Sequence, residues 1–245
     1  MIFNVEFSRL ETLRQQAPPF EAKHLHDNLL TLLTKKRSNK LEPMVQAVLK
    51  NKPSRLLDIG CGYGALAIFF ALNGISVAGI DLEEDRLNAG ANLAAILGIQ
   101  NVTLTKMNAC EISLTGFDMA LSTDFYEHIP YESQPVHLKA VFQALNSGGR
   151  YIIRSPHRSN IRQHRDGHIG LPSFSLLQKQ AVNAGFSVQF GIAHTSLVSP
   201  FKYHIPVEQW IESRKWSELA TYKALQKCGM ANVLAHLTKP STKTD

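Results

Sequence analysis

The stretch LLDIGCGYGALA (residues 56–67) decides the fold of this chain. An apolar run, RLLDI at 55–59, is followed at once by three closely spaced glycines, Gly60, Gly62 and Gly64. Glycine lets the backbone adopt positive φ and lets a ligand approach the chain closely. Open parallel sheets bind their ligands at the carboxyl ends of such strands. The stretch therefore predicts a buried strand, a ligand-binding loop and the start of a helix.

The same alternation continues outward from this loop. Further apolar runs predict strands at 75–80, 101–105, 117–122, 149–154, 186–192 and 233–238. The segments between them predict helices at 63–73, 83–97, 134–145, 174–184 and 206–228. Continuous Val, Ile and Leu strands separated by helices are typical of a parallel sheet covered on both faces. Residues 1–50 read as helical, and residues 155–172 read as a long polar loop.

Charge is unevenly distributed along the chain. There are 26 Lys and Arg against 20 Asp and Glu, a formal net charge of +6. Residues 55–149 nevertheless hold four Lys and Arg against ten Asp and Glu, so the positive excess lies on both sides of this acidic centre. No apolar run approaches the ~20 residues of a membrane span, and the N-terminus lacks the apolar core of a signal peptide. We therefore expect a cytoplasmic protein.

The cysteines exclude two further classes. Cys61, Cys110 and Cys228 are odd in number, widely separated and form no CxxC motif. This pattern argues against a disulfide framework and against a cysteine-rich zinc site.

Two acids indicate which cofactor the glycine loop takes. Asp81 ends the second predicted strand, and a carboxylate there can accept hydrogen bonds from both hydroxyls of a ribose. The glycines follow the spacing G-x-G-x-G, not the G-x-G-x-x-G of a dinucleotide site, and Asp58 directly precedes them. Asp58 disfavours a pyrophosphate and favours a cofactor that bears an ammonium and a sulfonium.

At these residues the chain resembles the class I S-adenosylmethionine-dependent methyltransferases. The resemblance covers roughly residues 53–192 and rests on five segments in order, LLDIGCGYG, GIDLEEDRL, MNACEISL, FDMALSTDFYEHI and LNSGGRYII. It implies S-adenosyl-L-methionine as the cofactor. It also implies an α/β, doubly wound Rossmann-like sheet of seven strands, mostly parallel with one antiparallel strand.

The resemblance also implies a domain organisation. We expect a single methyltransferase domain over residues 1–245. Its parts are an N-terminal helical extension (1–52), the cofactor-binding core (53–192), a helical insertion or lid (193–232), and the last strand and tail (233–245). Trp210 and Trp216 fall in the insertion, where we expect ordinary core packing.

The cofactor-binding residues are carried over from the family's segments. The methionine part is expected at Asp58 and at the loop residues Gly60, Cys61, Gly62 and Gly64. The nucleoside is expected at Asp81 for the ribose, Leu82 against the adenine, and Asn108 and Ala109, where the family often has Asp-Ala. The Asn108 side chain keeps a carbonyl acceptor for the adenine amino group. Thr123 and Asp124 are expected to border the point of methyl transfer.

The segment after the fourth strand narrows the acceptor. Methyltransferases that act on exocyclic base amines or glutamine amides usually carry an Asn/Asp-Pro-Pro-aromatic box there, and this chain has STDFYEH at 122–128 instead. The EHI and SGGRYII pieces look like the small-molecule branch that includes ubiquinone-biosynthesis O-methyltransferases. HIGLPSFSLLQKQAVNAGF, at 168–186, resembles the segment that covers the substrate in that branch. We expect methyl transfer to a small molecule, at oxygen.

His128 is the first candidate for the catalytic base, with Asp124 beside it and His157 as the second choice. We expect no metal. The alternative is a divalent cation held by Asp124, Glu127 and His128, which share one face if the segment is helical, together with His157 or His168. Small-RNA 2′-O-methyltransferases and some ubiquinone O-methyltransferases have a similar arrangement.

Arginines cluster after the fifth strand and suggest an acceptor that bears negative charge. They are Arg150, Arg154, Arg158, Arg162 and Arg165. Few aromatic residues interleave with them, so we expect no nucleic-acid partner. A solvated loop is the simpler interpretation of this cluster. An RNA ribose or protein methyltransferase, and a catalytically silent binding module, remain as alternative functions.

Overall fold

The computed structural model describes residues 41–191, 204–214, 216–227 and 230–241. In this part of the chain, seven strands form one sheet: β1 (Arg55–Ile59), β2 (Ser76–Asp81), β3 (Val102–Lys106), β4 (Phe117–Thr123), β5 (Leu145–Pro156), β6 (Ser187–Gly191) and β7 (Asn232–Thr238). The helices are α1 (Glu42–Asn51), α2 (Ala65–Leu72), α3 (Glu84–Ile96), α4 (Gln134–Ala144), α5 (Phe174–Asn183), α6 (His204–Ser213) and α7 (Glu218–Lys227). Two 3₁₀ turns lie at Tyr126–His128 and Ile161–Gln163.

The strand order is β3-β2-β1-β4-β5-β7-β6. The pairs β1–β2, β2–β3, β1–β4 and β4–β5 are parallel, and β7 runs antiparallel to both β5 and β6. The predicted seven-stranded, doubly wound sheet with one antiparallel strand is confirmed. The chain order reverses between β1 and β4, so a ligand crevice opens at the carboxyl ends of these two strands.

Helices cover both faces of the sheet. On one face, buried residues of α1, α2 and α3, such as Met44, Phe70 and Leu93, form one apolar cluster with the strands. On the other face, Leu138 of α4 and Leu177 of α5 belong to a second cluster, together with buried residues of α6 and α7. The strands are therefore apolar on both sides, as the continuous apolar runs predict.

The insertion before β7 departs from the expectation in two ways. Residues 206–228 form two helices instead of one, because α6 ends at Ser213 and α7 begins at Glu218. Ser217 caps the start of α7, where its Oγ accepts a hydrogen bond from the N–H of Ala220 (3.3 Å). The predicted core packing of Trp210 and Trp216 is wrong, since they are 51% and 42% exposed. Helical spacing predicts that one face of a helix is apolar, but it does not predict which apolar residue is buried. In α6 the buried position is occupied by Ile211, which is 1% exposed.

Three smaller differences concern segment bounds. The expected polar loop at 155–172 is shorter, because β5 continues to Pro156 and a 3₁₀ turn follows. Of the helical region expected at 1–50, α1 is described, and the rest lies outside the described residues. None of the helices that the structure describes is long and apolar enough to cross a lipid bilayer.

Candidate functional site

The glycine loop folds back over the end of β2. The N–H groups of Gly60 and Cys61 both donate to the carbonyl oxygen of Ile80, at 2.8 and 3.1 Å. Gly60 has a φ of +68°, and a Cβ at this position would lie 2.1 Å from the Phe125 ring. A side chain is therefore excluded at Gly60 both by the backbone conformation and by the close approach of Phe125.

Asp81 joins this loop to the next one. Its Oδ2 accepts a hydrogen bond from the N–H of Gly62 (2.7 Å), and its Oδ1 accepts one from the N–H of Glu83 (3.0 Å). These bonds fix the carboxylate at the carboxyl end of β2, where the ribose is expected. Each carboxylate oxygen keeps a further lone pair for a ligand hydroxyl.

Asp58 is a buried carboxylate that forms no ion pair within the described part of the chain. The residue is 3% exposed, and its Oδ2 has no hydrogen-bond partner among the described residues. Burial, reinforced by the charge of Asp81 and only partly offset by the N–H of Ala67, raises the pKa of Asp58 to about 7. Burial and the same two carboxylates also raise the pKa of the Cys61 thiol. A cationic ligand group would relieve the cost of the buried charge.

The expected adenine side lies at the ends of β2 and β3. Leu82 is 60% exposed and offers an apolar surface beside Asp81. The Oδ1 atom of Asn108 accepts a hydrogen bond from the N–H of Cys110 (3.0 Å), which leaves one lone pair of that oxygen. Ala109 is 7% exposed. The carbonyl acceptor expected at Asn108 is present, though it also holds its own loop.

A buried network connects this loop to β4. The carbonyl oxygen of Ala109 accepts a hydrogen bond from His137 Nδ1 (2.8 Å). On the other side of the ring, His137 Nε2 lies 2.9 Å from the Tyr151 hydroxyl. The same hydroxyl lies 2.8 Å from Ser122 Oγ. His137, Tyr151 and Ser122 are fully buried, and burial lowers the pKa of His137 to about 4. This tyrosine network holds the adenine loop and the end of β4 in one arrangement.

Thr123 and Asp124 lie where β4 ends. Thr123 Oγ1 is 3.3 Å from Met44 Sδ of α1, so this hydroxyl is tied to the N-terminal part of the domain. Asp124 has a φ of +49°, and its carboxylate forms an ion pair with the buried Arg154. The segment is not a continuous helix, because Asp124 precedes the 3₁₀ turn in a left-handed conformation, so the condition under which Asp124, Glu127 and His128 would share one helical face is not met.

Glu127, His128 and His168 nevertheless form a cluster. Their ligand atoms lie within 4.8 Å of one another, and the His128 and His168 rings meet edge-to-face with centroids 4.8 Å apart. Residues 167–170 run along the 3₁₀ turn, because Gly167 accepts from His128 Nδ1 (2.8 Å) and Gly170 donates to the Glu127 carbonyl (2.8 Å). This pairing places His168, from a distant loop, beside the turn.

The electrostatics of this cluster favour proton transfer or cation binding. Burial raises the pKa of Glu127 to about 7, and Ser155 donates to its Oε2 (3.0 Å). Because a carbonyl oxygen only accepts, His128 Nδ1 carries the proton and Nε2 keeps a lone pair. Burial, followed by the charges of His128 and Arg165, lowers the pKa of His168. The cluster therefore joins a carboxyl group with a pKa near neutral to two imidazole rings, and the Nε2 atom of His168 accepts a hydrogen bond from Arg165 Nε (3.2 Å).

His157, the second candidate base, has a structural role. It is fully buried, and its Nε2 is 2.6 Å from Oε1 of Glu208, which is also fully buried. The same carboxylate accepts hydrogen bonds from the N–H groups of Phe174 and Ser175, each at 2.9 Å. His157 and Glu208 thus fasten α6 to the start of α5, and His157 takes no part in the cluster.

A cavity of about 620 Å³ lies between the loop after β5 and the helices α6 and α7. His168 belongs both to its wall and to the cluster. The loop after β5 contributes Arg158, Ser159, Ile161, His164, Arg165, His168 and Leu171, and Tyr131 comes from the segment before α4. The insertion contributes Glu212, Trp216, Glu218 and Thr221.

A family model described as a methyltransferase domain matches residues 25–194. This chain belongs to the class I S-adenosylmethionine-dependent methyltransferases. The match covers more than half of the chain, and it includes the glycine loop, the Asp81 loop and the cluster after β4. Methyl transfer from S-adenosylmethionine is the chemistry of the family.

Individual relatives of this methyltransferase are distant. A probable fatty acid methyltransferase of Mycobacterium tuberculosis is 25% identical over 118 residues, 48% of this chain and 28% of that protein. A ubiquinone biosynthesis O-methyltransferase of Dechloromonas aromatica is 32% identical over 108 residues, 43% of this chain and 45% of that protein. The chain spans less than half the length of these two relatives.

Solved structures support the fold of the methyltransferase. The magnesium protoporphyrin IX methyltransferase of Synechocystis, with bound S-adenosylhomocysteine, superposes with a TM-score of 0.56 at 15% identity. The superposition covers 96% of this chain and 95% of that one. At this identity the likeness extends to the fold.

The residues present fit S-adenosylmethionine. The unpartnered Oδ2 of Asp58 suits the ammonium group of the methionine part, and the Asp81 carboxylate suits the ribose hydroxyls. The exposed Leu82 suits an adenine face. These groups lie at the ends of two neighbouring strands, Asp58 in β1 and Asp81 with Leu82 at the end of β2.

The five arginines in and after β5, at positions 150, 154, 158, 162 and 165, have separate partners and do not form one patch. Arg158 and Arg165 line the cavity, and the other three do not. Arg150 donates to Asn51, Arg154 pairs with Asp124, Arg158 pairs with Glu212, Arg165 donates to His168, and Arg162 lies over the Tyr222 ring.

Several site residues of the methyltransferase escaped the sequence analysis. Ser155 contacts the cluster, Glu212 and Tyr131 line the cavity, and Glu208 binds the buried His157; none of them belongs to a recognisable motif. Glu208 carries no local signal either, because its partners His157, Phe174 and Ser175 lie more than 30 residues away in sequence.

Proposed function

We propose that this methyltransferase moves a methyl group from S-adenosylmethionine to an oxygen of a small molecule that bears negative charge. The observation that carries the proposal is the position of the cluster of Glu127, His128 and His168. It directly follows the end of β4, where methyl transfer is expected, and it shares His168 with a cavity large enough for a small organic molecule.

The chemistry that the protein must supply is modest. The sulfonium of S-adenosylmethionine already activates the methyl group, so the protein aligns the acceptor for in-line displacement and removes its proton. His128 Nε2 accepts that proton, and the hydrogen bond from Nδ1 to Gly167 keeps the ring in the required tautomer. Asp124, held by Arg154, is a positioning residue at the end of β4.

A second mechanism uses the same cluster as a divalent metal site. Glu127, His128 and His168 would hold the cation, which would lower the pKa of an acceptor hydroxyl. The prediction that no metal takes part therefore stays a prediction. Activity unchanged by chelation and by added Mg²⁺, Mn²⁺ or Zn²⁺ supports the histidine base, whereas loss on chelation and recovery with one of these cations supports the metal.

The architecture suggests how the acceptor site is covered. We propose that the chain acts as one methyltransferase domain, with α6 and α7 as a lid over the cavity.

The cytoplasmic location stays a prediction as well.

The experiment is methyl transfer from S-adenosylmethionine labelled on the methyl group to a fractionated cell extract. The label is expected in the low-molecular-mass fraction. Mass spectrometry of the labelled product, after mild hydrolysis, should show that the methyl group is attached to oxygen. Asp81→Ala should abolish the label, and His128→Asn should lower kcat about 10²- to 10⁴-fold without changing the affinity for S-adenosylhomocysteine.

Other outcomes point to other functions. Label in RNA or protein alone contradicts the proposal, and so does a methyl group on carbon or nitrogen. Tight binding of S-adenosylhomocysteine without turnover on any extract favours a silent binding module.

A further inference from the structure

The cavity between the loop after β5 and the helices α6 and α7 has the size and location of an acceptor site. Its volume of about 620 Å³ is within the range of small-molecule sites, roughly 300–1,000 Å³. One wall reaches the proton-accepting cluster through His168, and the other belongs to the helical insertion. A molecule in this cavity therefore contacts both His168 of the cluster and the insertion.

The apolar part of the cavity wall is suited to a flat molecule. Trp216, on the insertion, is 42% exposed and lines the cavity opposite Ile161 and Leu171 of the loop side. The Trp216 ring packs edge-to-face on that of Trp210, with centroids 5.9 Å apart, so it leaves a ring face for a ligand. A planar ring that covers this face buries apolar area on both partners.

The charges on the cavity wall determine which charged group a planar ligand in this cavity must carry. Arg158 pairs with Glu212, so these two cancel within the cavity wall. Arg165 has no carboxylate within ion-pair distance in the part of the chain that the structure describes, and its Nε donates to His168. The remaining acid of the wall, Glu218, lies on the helix side in the first turn of α7, so the positive charge offered to an anion is that of Arg165 on the loop side.

From these contacts we propose that the cavity binds the methyl acceptor and that the acceptor is a planar organic anion. Its ring packs on Trp216, and its carboxylate, sulfonate or phosphate group meets the guanidinium of Arg165. The inference rests on the proposed function, whose small-molecule acceptor it narrows to one chemical class.

Tryptophan fluorescence reports on this cavity directly. The chain contains two tryptophans, Trp210 and Trp216, which are in contact with each other. The anionic probe is 8-anilinonaphthalene-1-sulfonate, and the neutral probe is N-phenyl-1-naphthylamine, which has the same rings without the sulfonate. Binding is followed by quenching of the tryptophan emission and by the emission of each probe.

The matched variants are Arg165→Gln and Arg162→Gln. Both remove one positive charge from the same loop, but Arg162 lies over the Tyr222 ring and does not line the cavity. We expect saturable binding of the anionic probe, weakened about 10- to 100-fold by Arg165→Gln, because a hydrogen bond to a charged group contributes about 1.5–3 kcal/mol. Arg162→Gln should change the affinity less than twofold. The neutral probe should bind both variants alike, and Trp216→Ala should weaken both probes.

Two results would overturn the inference. Equal effects of the two arginine variants would show a general charge effect and not a site at Arg165. Probe binding that follows the expected pattern without inhibiting methyl transfer would separate the cavity from the acceptor site. If the probe follows the expected pattern while methyl transfer fails with every fraction, the proposed function is contradicted and the cavity remains a site for planar anions.

Discussion

Replacing Asp58 with asparagine is expected to stabilise the ligand-free protein and to weaken cofactor binding. The carboxylate is 3% exposed and its Oδ2 has no partner among the described residues, so the folded state bears the cost of a buried charge. Asparagine has nearly the same shape and no charge. The substitution therefore separates the requirement of the fold from the requirement of the cofactor.

The magnitude follows from the pKa of Asp58, which is raised from 3.8 to about 7. At pH 8 this corresponds to a destabilisation on the order of 4 kcal/mol. The asparagine amide leaves its own N–H₂ group without a partner, which costs about 1–3 kcal/mol. We therefore expect Asp58→Asn to raise the free energy of unfolding by about 1–3 kcal/mol at pH 8.

The sign depends on pH in a defined way. Because the pKa of Asp58 is higher in the folded state, ionisation favours unfolding, and the wild type loses stability as the pH rises from about 4 to about 7. Below pH 4 the carboxyl is protonated in both states and its cost disappears. The advantage of the variant should be absent at pH 5 and should reach its full size at pH 8.

The assay is urea unfolding of both proteins at pH 5 and pH 8, with calorimetric titration of S-adenosylhomocysteine at pH 8. A control is Asp118→Asn. Despite its partial burial, the pKa of Asp118 is lowered by hydrogen bonds from Asn146 (2.9 Å) and from the N–H groups of Arg55 (3.1 Å) and Ser54 (2.9 Å). That variant should be less stable than the wild type. The reasoning is refuted if Asp58→Asn destabilises the protein at pH 8, or if it binds the ligand as tightly as the wild type.

Three further substitutions test other parts of the structure. Gly60→Ala should abolish binding of S-adenosylhomocysteine in calorimetry, because its Cβ would lie 2.1 Å from the Phe125 ring at a φ of +68°. Tyr151→Phe, which removes the shared hydroxyl of the tyrosine network, should lower the free energy of urea unfolding by about 1–3 kcal/mol; an unchanged midpoint would contradict the network. Glu208→Ala should lower the free energy of unfolding by about 3–5 kcal/mol, since it leaves His157 and two backbone N–H groups without their buried acceptor. The protection of α6 against hydrogen exchange should fall with it.

The core of the fold could be predicted because its signals are local, and the expected cofactor residues are named from the same local signals. A buried strand followed by Gly60, Gly62 and Gly64 encodes its own loop, and Asp81 lies at the end of the next apolar run. In the structure Asp81, the expected ribose ligand, also accepts a hydrogen bond from the N–H of Gly62 in the glycine loop.

The acceptor side could not be predicted in the same way, because its geometry depends on contacts between distant segments. Asp124 has helical spacing to His128, but its positive φ separates it from the following turn. His168 reaches the cluster because residues 167–170 pair with that turn. The role of His157 is decided by Glu208, 51 residues away. None of these partners leaves a periodic trace in the sequence.

The most direct test of the account is the crystal structure of the complex with S-adenosylhomocysteine, and the measurement is the position of its sulfur relative to the cavity. We predict the adenine beside Leu82, the ammonium group within hydrogen-bond distance of Asp58 Oδ2, and the sulfur at the end of β4, facing the mouth of the cavity beside His168. A sulfur that is walled off from this cavity, or a cofactor bound away from the glycine loop, would contradict it.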